Sequence, residues 1–464
     1  INKKGEKTME KSRRNKGITL VALVVTIIIL LILAGISIQI LSQMDLIEKA
    51  KQAKTITENA QKKENEEITK IEDFMYDNIN DIEQVTDKEP GKLEQDENNN
   101  DIYIINSIED LVYFAYDVTN GNSYLGKTVK LGINLDFNSS KSYVDAYRTD
   151  YTTYGYDGAL KEKITKDGFI PIGKINYTEN TKEDILKNNS FNGTFDGNGY
   201  VINNLKINEK TQKQDEWEEI GLFTRNRGTI QNLKLTNVNI NLEISNNVFS
   251  SVSALVGVNY ATIKQCYVTG KINGITNKYS LNIGGITASN WGTILECVNK
   301  TNVYSTMNTN SDVFPALRIG GIAGINENGG NINNVYNNGE IHNVKSENST
   351  NNYEFIGGVV GNNSGTLINS YNRGVVENSN INYYIRIGSL TGASKTTLDT
   401  CYYLKDTVIN LPDDNTVIMS LGTQVDEQEI KDNNFITKLN ENNSNIWKRD
   451  INNINDNYPI LYWQ

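Results

Sequence analysis

Most of the chain after residue 100 consists of short stretches in which apolar and polar residues alternate, separated by turns rich in Asn and Gly. A period of two is typical of β-strands that bury one face. The 464 residues include 36 Gly but only 5 Pro. Because Gly and Asn favour tight turns, this pattern predicts many short strands and a mainly β fold.

An internal repeat organises these strands. Six stretches share a Gly, an apolar pair, an Asn, a Gly-Thr pair and an aliphatic residue, from GLFTRNRGTI at Gly221 to SLTGASKTTL at Ser389. Their alignment places aliphatic residues in one column, namely Ile230, Ile263, Ile294, Ile332, Leu367 and Leu398. Three residues further along, a second column contains Leu233, Cys266, Cys297, Val335, Ser370 and Cys401.

A single repeat of this kind cannot bury its apolar face, whereas stacked repeats place like residues above like and form a continuous core. We therefore predict a right-handed parallel β-helix over residues 101–464, with repeats at about 220–405 and a C-terminal cap. Both columns are predicted to be interior ladders. The recurring Asn and Gly are interpreted as turn residues, with a ligand site as the alternative.

The N-terminal part has a different pattern. A basic leader (1–17) precedes an apolar stretch without charges (18–40), which is long enough for a transmembrane helix. Residues 41–80 are good helix formers without Pro or Gly and predict a helical stalk, and the polar segment 81–100 predicts a linker. Ser107 is a candidate N-cap for a short helix that covers one end of the solenoid.

Charge and reactive residues narrow the function classes. The formal net charge is −11, and basic residues cluster only at the extreme N-terminus, so a nucleic-acid partner is not expected. Three Cys occupy the second ladder column, and the single His, His342, is assigned to a turn-like stretch. Small buried thiols are preferred over a nucleophile or a metal ligand. We find no catalytic signature and predict no enzyme activity, no metal site and no cofactor.

One acidic turn leaves two interpretations open. The sequence Asp196-Gly197-Asn198-Gly199 is compatible with a Ca²⁺ site or with a structural turn. The turn is the preferred interpretation.

The repeats resemble the GLUG motif, in GGIAGIN from Gly320, GGVVGNN from Gly357 and GLFTRNRGTI from Gly221. The lead-in FNGTFDGNGYVINNLKI and the ending NYPILYWQ are similar to those of the same proteins. The resemblance covers about residues 101–464 and implies a bacterial surface protein. The motif also accompanies IgA-specific metallopeptidases, but their zinc-binding helix has no counterpart in this sequence, so no protease activity is implied.

The N-terminus resembles a type IV prepilin signal, with Gly17 before the cut and Ile18 after it. Pilins have a Glu shortly after the cut, where this chain has Ala22. The resemblance implies a prepilin peptidase as a partner, whereas Ala22 argues against filament assembly.

These observations predict a single-pass protein of the cell membrane whose C-terminal body is extracellular. The expected function is adhesion or surface interaction with glycans, matrix or other cells. Two alternatives remain, namely a minor pilin or pilus-tip subunit and a polysaccharide-active β-helix enzyme. The enzyme would need acidic or basic side chains clustered on one face of the solenoid.

Overall fold

The computed structural model describes residues 93–138, 168–174, 189–211, 218–245, 249–277, 279–308, 315–344, 353–379, 384–409, 416–441 and 445–464. The chain divides into two compact units, Ile1–Lys88 and Glu89–Gln464, and all described residues belong to the second. The predicted leader, transmembrane helix and stalk, and the predicted processing residues Gly17 and Ile18, therefore lie outside the described residues. No helix within the described ranges is long and apolar enough to cross a membrane.

The described chain begins with a β-hairpin, a helix and the first parallel strands. These elements are β1 (Glu94–Asp96), β2 (Asn99–Ile105), α1 (Ile108–Thr119), β3 (Thr128–Leu131), β4 (Leu135–Asp136), β5 (Thr194–Asp196), β6 (Val201–Asn203) and β7 (Lys206–Thr211). Strands β1 and β2 are antiparallel, and β2 pairs in parallel with β3. Because β1 lies inside segment 81–100, the β-rich structure starts earlier than the predicted linker allowed.

Six complete coils follow in the described part of the chain. The first three consist of β8 (Glu218–Ile220), β9 (Phe223–Asn226), β10 (Thr229–Gln231) and β11 (Lys234–Ile244), then β12 (Ser250–Ser253), β13 (Val256–Asn259), β14 (Thr262–Lys264) and β15 (Tyr267–Thr276), then β16 (Leu281–Gly284), β17 (Thr287–Asn290), β18 (Thr293–Leu295) and β19 (Val298–Met307). The next three consist of β20 (Ala316–Gly320), β21 (Ala323–Asn326), β22 (Asn331–Asn333), β23 (Tyr336–Asn337) and β24 (Ile341–Asn343), then β25 (Tyr353–Gly357), β26 (Val360–Asn363), β27 (Thr366–Asn372) and β28 (Val376–Asn378), then β29 (Tyr384–Gly388), β30 (Thr391–Ser394), β31 (Asp399–Leu404) and β32 (Val408–Ile409).

Neighbouring coils pair in parallel and in register. Ile263, for example, pairs with Ile230 on one side and with Ile294 on the other. The main sheets of the described chain have 21, seven and six strands. The six-stranded sheet contains the second strand of each coil, and the seven-stranded sheet contains the first strand of each coil and one strand of the C-terminal segment. Since paired strands lie about 4.8 Å apart, each position of the repeat becomes a row along the long axis. The fold is therefore a mainly β parallel solenoid of about six coils.

A buried row of Asn side chains follows one corner of the coils. From each coil to the next, the Asn Nδ2 donates to the next Asn Oδ1 over 2.8 Å, through Asn226, Asn259, Asn290, Asn326 and Asn363. The same amides also donate to backbone carbonyls of the following turn, such as Asn326 Nδ2 to Thr366 O at 3.1 Å. The row satisfies buried polar groups at a corner where the backbone leaves the sheet.

The residue before the second ladder column has a left-handed backbone in every coil. Its φ lies between +48° and +54° at Asn232, Gln265, Glu296, Asn334, Asn369 and Thr400. Asn adopts this conformation at little cost, whereas a β-branched residue such as Thr does so rarely. Stacking therefore holds the same sharp bend even where the local sequence disfavours it.

Helix α1 begins after Ser107, as predicted. Ser107 Oγ accepts a hydrogen bond from the backbone N–H of Asp110 at 3.0 Å. The Phe114 ring packs against Phe195 and Phe223, with ring centroids 5.7 Å and 6.3 Å apart. Its predicted apolar face is buried, namely Leu111, Phe114, Ala115 and Val118. The helix thus covers the N-terminal end of the described solenoid core.

The C-terminal segment first adds two strands to the end of the solenoid and then covers its side. It consists of β33 (Thr416–Ile418), β34 (Thr423–Val425), α2 (Glu427–Ile430), α3 (Asn433–Leu439), β35 (Trp447–Lys448) and β36 (Ile460–Leu461). Tyr336 and Tyr371 stack with ring centroids 5.0 Å apart, and Trp447 packs 5.6 Å from Tyr371. Tyr371 Oη also donates to Pro459 O at 2.6 Å. Within the predicted C-terminal cap, β33 and β34 thus stack on the last complete coil, whereas the part after β34 lies along an outward aromatic row of several coils.

Candidate functional site

The first predicted ladder lies in the interior. Five of its members are 0% exposed and pair with one another in sequence, namely Ile230, Ile263, Ile294, Ile332 and Leu367. Leu398 belongs to the last complete coil, where it packs half-buried against the same core. Such a row of stacked aliphatic side chains excludes water and has no chemistry beyond packing.

The second ladder holds the thiols. Its members are buried, namely Leu233, Cys266, Cys297, Val335, Ser370 and Cys401, and all three Cys are free thiols. Cys297 Sγ donates to Leu295 O at 3.1 Å, and Cys401 Sγ donates to Asp399 O at 3.2 Å. Burial raises the pKa of the Cys297 thiol well above its usual value and that of Cys401 to about 12. A thiolate is therefore disfavoured at both positions.

We expect all three thiols to react slowly with iodoacetamide in the native protein, because their side chains are at most 2% exposed and the reagent cannot reach them. Labelling should become complete in urea. The measurement is mass spectrometry of tryptic peptides after timed labelling at neutral pH. Rapid labelling of Cys266, Cys297 or Cys401 in native protein would contradict the interior assignment, as would a disulfide between any two of them.

His342 lies in strand β24, so the prediction of a turn-like stretch was wrong. The residue that precedes the strand, Glu340, belongs to the turn, and the short strand is recognisable only by its pairing with β19 and β28. The His342 ring stacks on Tyr304, with ring centroids 4.7 Å apart and planes 10° from parallel. His342 Nδ1 lies 2.7 Å from Glu377 Oε2, and Nε2 lies 2.9 Å from Glu340 Oε2. Acidic and basic groups are thus clustered on the outside of the long sheet.

Ion pairing shifts the pKa values of both His342 and Glu340. The hydrogen bond that the Glu340 carboxylate accepts, opposed by partial burial and supported by Glu377, raises the pKa of His342 above 6.5. The same hydrogen bond lowers the pKa of Glu340 below 4.5. When the imidazole is protonated, Nδ1 donates to Glu377 and Nε2 donates to Glu340. A carboxylate held ionised in this way is poorly suited to act as a general acid.

The His342 cluster predicts a pH dependence of stability. A raised His pKa contributes stability that is present below pH 6.5 and is lost as the pH rises through the folded-state pKa. A lowered Glu340 pKa contributes above pH 4.5 and is lost in acid. Between pH 4.5 and pH 6.5, the free energy of unfolding of His342→Gln should be lower than that of the parent by about 1 kcal/mol or less. At pH 9 this difference should be smaller. Urea unfolding at pH 5.5 and pH 9 measures this; an equal loss at both values would contradict it.

A concave corner joins the first two strands of every coil. Asn282 Nδ2 donates to Ser289 Oγ at 2.9 Å, which links the outer faces of the seven-stranded and six-stranded sheets. Ser251 Oγ also lies 3.3 Å from Ser289 Oγ. A Cβ at Gly361, in the second of these strands, would lie 2.6 Å from the backbone N of Ile319. Glycine at such positions therefore lets the two sheets approach closely enough for their outer side chains to meet.

The rim of this corner carries exposed aromatic residues. The residue after the ladder Asn points outward in successive coils, where Tyr260 is 40% exposed and Trp291 is 47% exposed. Their backbones pair with adjacent coils, so the two residues are neighbours in one row, with backbones about 4.8 Å apart. The Arg227 guanidinium lies over the Tyr260 ring, 4.5 Å from its centroid. These three residues form the rim cluster, an aromatic surface with a cation at one end.

In the acidic turn, both carboxylate oxygens of Asp196 accept hydrogen bonds from protein groups. Asp196 Oδ1 accepts from the backbone N–H of Asn198 at 2.8 Å and from Asn232 Nδ2 at 3.0 Å. Asp196 Oδ2 accepts from Gln231 Nε2 at 2.9 Å. These contacts support the structural turn. Among the described residues there is no group of three or more His, Cys, Asp or Glu arranged to hold a metal ion.

Comparisons with known proteins give distant similarities. No family model matches the chain. Halomucin from Haloquadratum walsbyi is 24% identical over 174 residues, which are 38% of this chain and 2% of halomucin. The chain thus spans a very small part of that relative. A crystal structure of a candidate immunoglobulin A1 protease from Bacteroides ovatus matches with a TM-score of 0.44 and 15% identity, over 82% of this chain and 95% of the other.

Proposed function

We propose that this protein is a membrane-anchored, surface-exposed β-solenoid that binds glycans of matrix or other cells, and that it has no catalytic activity. The observation that carries the proposal is the rim cluster, in which Tyr260 and Trp291 stay exposed on a rigid ladder. Aromatic faces are the surfaces on which the C–H groups of sugar rings stack. Large aromatic residues also contribute most of the energy of many binding surfaces.

Rigidity supports a binding role for the rim cluster. Tyr260 N donates to Asn226 O at 2.9 Å, and Trp291 N donates to Asn259 O at 2.8 Å. Both residues directly follow members of the Asn row, so their backbones have little freedom to move. A surface held in place before binding loses less conformational entropy when a ligand docks.

The anchor and family assignments are part of this proposal. We propose that segment 18–40 spans the membrane, that residues 41–80 form the stalk, and that the solenoid is right-handed and belongs among GLUG-motif surface proteins. The basic leader and the uncharged apolar stretch support this topology. Gly17 and Ile18 support processing by a prepilin peptidase, while Ala22 favours a dispersed anchor over a filament subunit.

The enzyme alternative depends on the His342 cluster. This cluster meets the requirement for acidic and basic groups on one face, but Glu340 and Glu377 both bond to His342. Ion pairing of this kind stabilises strands of neighbouring coils. A polysaccharide depolymerisation assay tests the alternative, and activity that disappears in Glu340→Gln would replace the proposed function.

The proposed function is tested with the full chain, purified in a non-ionic detergent, on a glycan array. Trp291→Ala should weaken binding about tenfold or more, since truncating a central aromatic contact costs about 2 kcal/mol. Tyr462→Ala is the matched control, because Tyr462 is 69% exposed but lies in the C-terminal segment. No binding of the parent to any glycan, matrix preparation or cell surface would contradict the proposal.

The anchor is tested separately. Mass spectrometry of detergent-extracted protein should give either the intact leader or an N-terminus at Ile18. Little protein should appear in sheared filament fractions. Abundant recovery in purified pili would favour the minor-pilin alternative instead.

A further inference from the structure

Two arginines on the outer face of the seven-stranded sheet form no ion pair with an acidic residue in the part of the chain that the structure describes. Arg318 and Arg386 occupy the same row, separated only by Phe355 in the coil between them. Both side chains are half-buried, and both Nε atoms are buried without a hydrogen-bond partner. The only hydrogen bond that the structure gives Arg318 runs from Nη1 to Asn282 Oδ1, at 3.3 Å.

In another coil, an arginine at the same corner is paired with a carboxylate. In the first complete coil, Arg225 bonds in a bidentate manner to Glu219, with Nη2 2.6 Å from Oε1. Glu219 occupies the row that holds Arg318 and Arg386 three and five coils later. A partly buried guanidinium is costly without an anion, because water is lost and nothing replaces it. Among the described residues, a carboxylate thus serves this purpose in the first complete coil, and none contacts Arg318 or Arg386 in the later coils.

The charges around Arg318 do not remove this cost. Burial lowers the pKa of Arg318, and the nearest acidic influence is Glu327, which forms no ion pair with it. The pKa of Glu327 is itself raised, mainly by burial, although Arg318 and Lys395 act in the opposite direction. Apart from the hydrogen bond of Nη1 to Asn282, the guanidinium therefore keeps N–H donors that no described residue accepts from, in the fork geometry that suits carboxylate and sulfate groups.

Aromatic rings accompany the two arginines. Phe355 and Tyr384 are half-buried beside them, and Tyr384 lies under the Arg386 guanidinium, 5.0 Å from the ring centroid. Since Arg318 and Arg386 lie two strand spacings apart, their backbones are separated by about 10 Å. That separation is comparable with one disaccharide repeat of an extended polysaccharide. The row thus alternates cationic and aromatic groups along the solenoid axis.

We infer that the row Arg318–Phe355–Arg386 binds an acidic polysaccharide, with a carboxylate or sulfate on each guanidinium and the intervening sugar against Phe355. This inference rests on the proposed function and names the ligand class. The net charge of −11 repels polyanions in general, so binding requires this local cationic row. The rim cluster, which begins in the first complete coil, is a separate contact surface for sugars.

The test measures binding of the full chain in non-ionic detergent to polygalacturonate, heparin and neutral dextran. The parent should bind polygalacturonate or heparin, with affinity falling as NaCl rises, and should bind dextran weakly. Arg318→Gln and Arg386→Gln should each weaken binding about tenfold or more, as expected for loss of a charge-assisted hydrogen bond. Lys264→Gln, which removes the same charge from the long sheet, should leave binding unchanged.

Thermal unfolding separates binding from folding. Because Arg318 has no acidic partner in contact, Arg318→Gln should melt at the same temperature as the parent or higher. Heparin or polygalacturonate should raise the melting temperature of the parent but not that of a variant that carries both Arg318→Gln and Arg386→Gln. Arg318→Lys should keep part of the affinity, since it retains the charge and loses the fork. A lower melting temperature for Arg318→Gln without ligand, together with unchanged affinity, would assign both arginines a structural role and overturn the inference.

Other outcomes are also decisive. A parent that binds neutral glycans or cells but neither acidic polysaccharide overturns the ligand class and leaves the proposed function intact. Equally tight, arginine-dependent binding of single-stranded DNA would identify a general polyanion surface and overturn the inference as well. A parent that binds no glycan or cell surface contradicts the proposed function itself.

Discussion

Replacing Ile294 by Asp is expected to abolish the folded solenoid at neutral pH. Ile294 is 0% exposed and is paired on both sides, with Ile263 and Ile332. A carboxylate at this position would have no water and no partner, at a cost of more than about 4 kcal/mol. Since a domain is stable by about 5–15 kcal/mol, this loss removes much or all of the stability.

The matched control for this substitution is Leu295→Asp. Leu295 is the next residue of strand β18 and is half-buried on the opposite side of the strand. Its replacement should cost much less, about 1 kcal/mol, as at most partly exposed positions. Circular dichroism melts of the parent and both variants compare the two effects. If Ile294→Asp melted like the parent, the inward assignment of the ladder would be wrong.

The interior of the solenoid could be predicted because it repeats. Ile230 and Ile263 occupy equivalent positions of the pattern, and stacking requires equivalent positions to coincide. Helix α1 was predictable for a local reason, since the Ser107 cap and the apolar spacing act within a few residues. Both features can therefore be predicted from the sequence pattern itself.

The outer surface could not be predicted to the same extent. Tyr336 and Tyr371 alternate outward in their strands, yet both are 0% exposed because the C-terminal segment covers them. That contact joins residues about ninety positions apart, such as Tyr371 and Pro459, and no periodicity encodes it. His342 was misplaced because the short strand β24 becomes recognisable only through its pairing with neighbouring coils.

The candidate binding residues left a faint signal in the sequence. Tyr260 and Trp291 occupy a position of the repeat, directly after the ladder Asn, that changes chemistry from coil to coil. Variation beside a constant Asn indicates an exposed position, and two large aromatic residues there are unusual. Arg318 gave no such signal, because its missing partner is recognisable only once the row that also contains Glu219 is known.

Changing Asn326 to Asp should be nearly as damaging as a charge in the aliphatic ladder, although the two side chains have the same shape. Asn326 Oδ1 accepts from Asn290 Nδ2, and Asn326 Nδ2 donates to Asn363 Oδ1, each at 2.8 Å. The substitution replaces the Nδ2 donor by an oxygen that faces the acceptors Asn363 Oδ1 and Thr366 O. A buried charge and lost donors together should cost about 3 kcal/mol or more.

The pH dependence identifies the cause of this loss. Burial and the facing acceptors raise the pKa of the introduced carboxyl above its unfolded value of about 3.9, so the folded state binds the extra proton more tightly. The destabilisation is therefore largest at neutral pH and shrinks as the pH falls through the raised pKa. Asn328→Asp, in the exposed turn of the same coil, is the matched control and should change stability by less than about 0.5 kcal/mol. Urea unfolding at pH 7 and pH 4.5 compares the variants, and a loss that is equal at both values would show that the Asn row does not exclude charge.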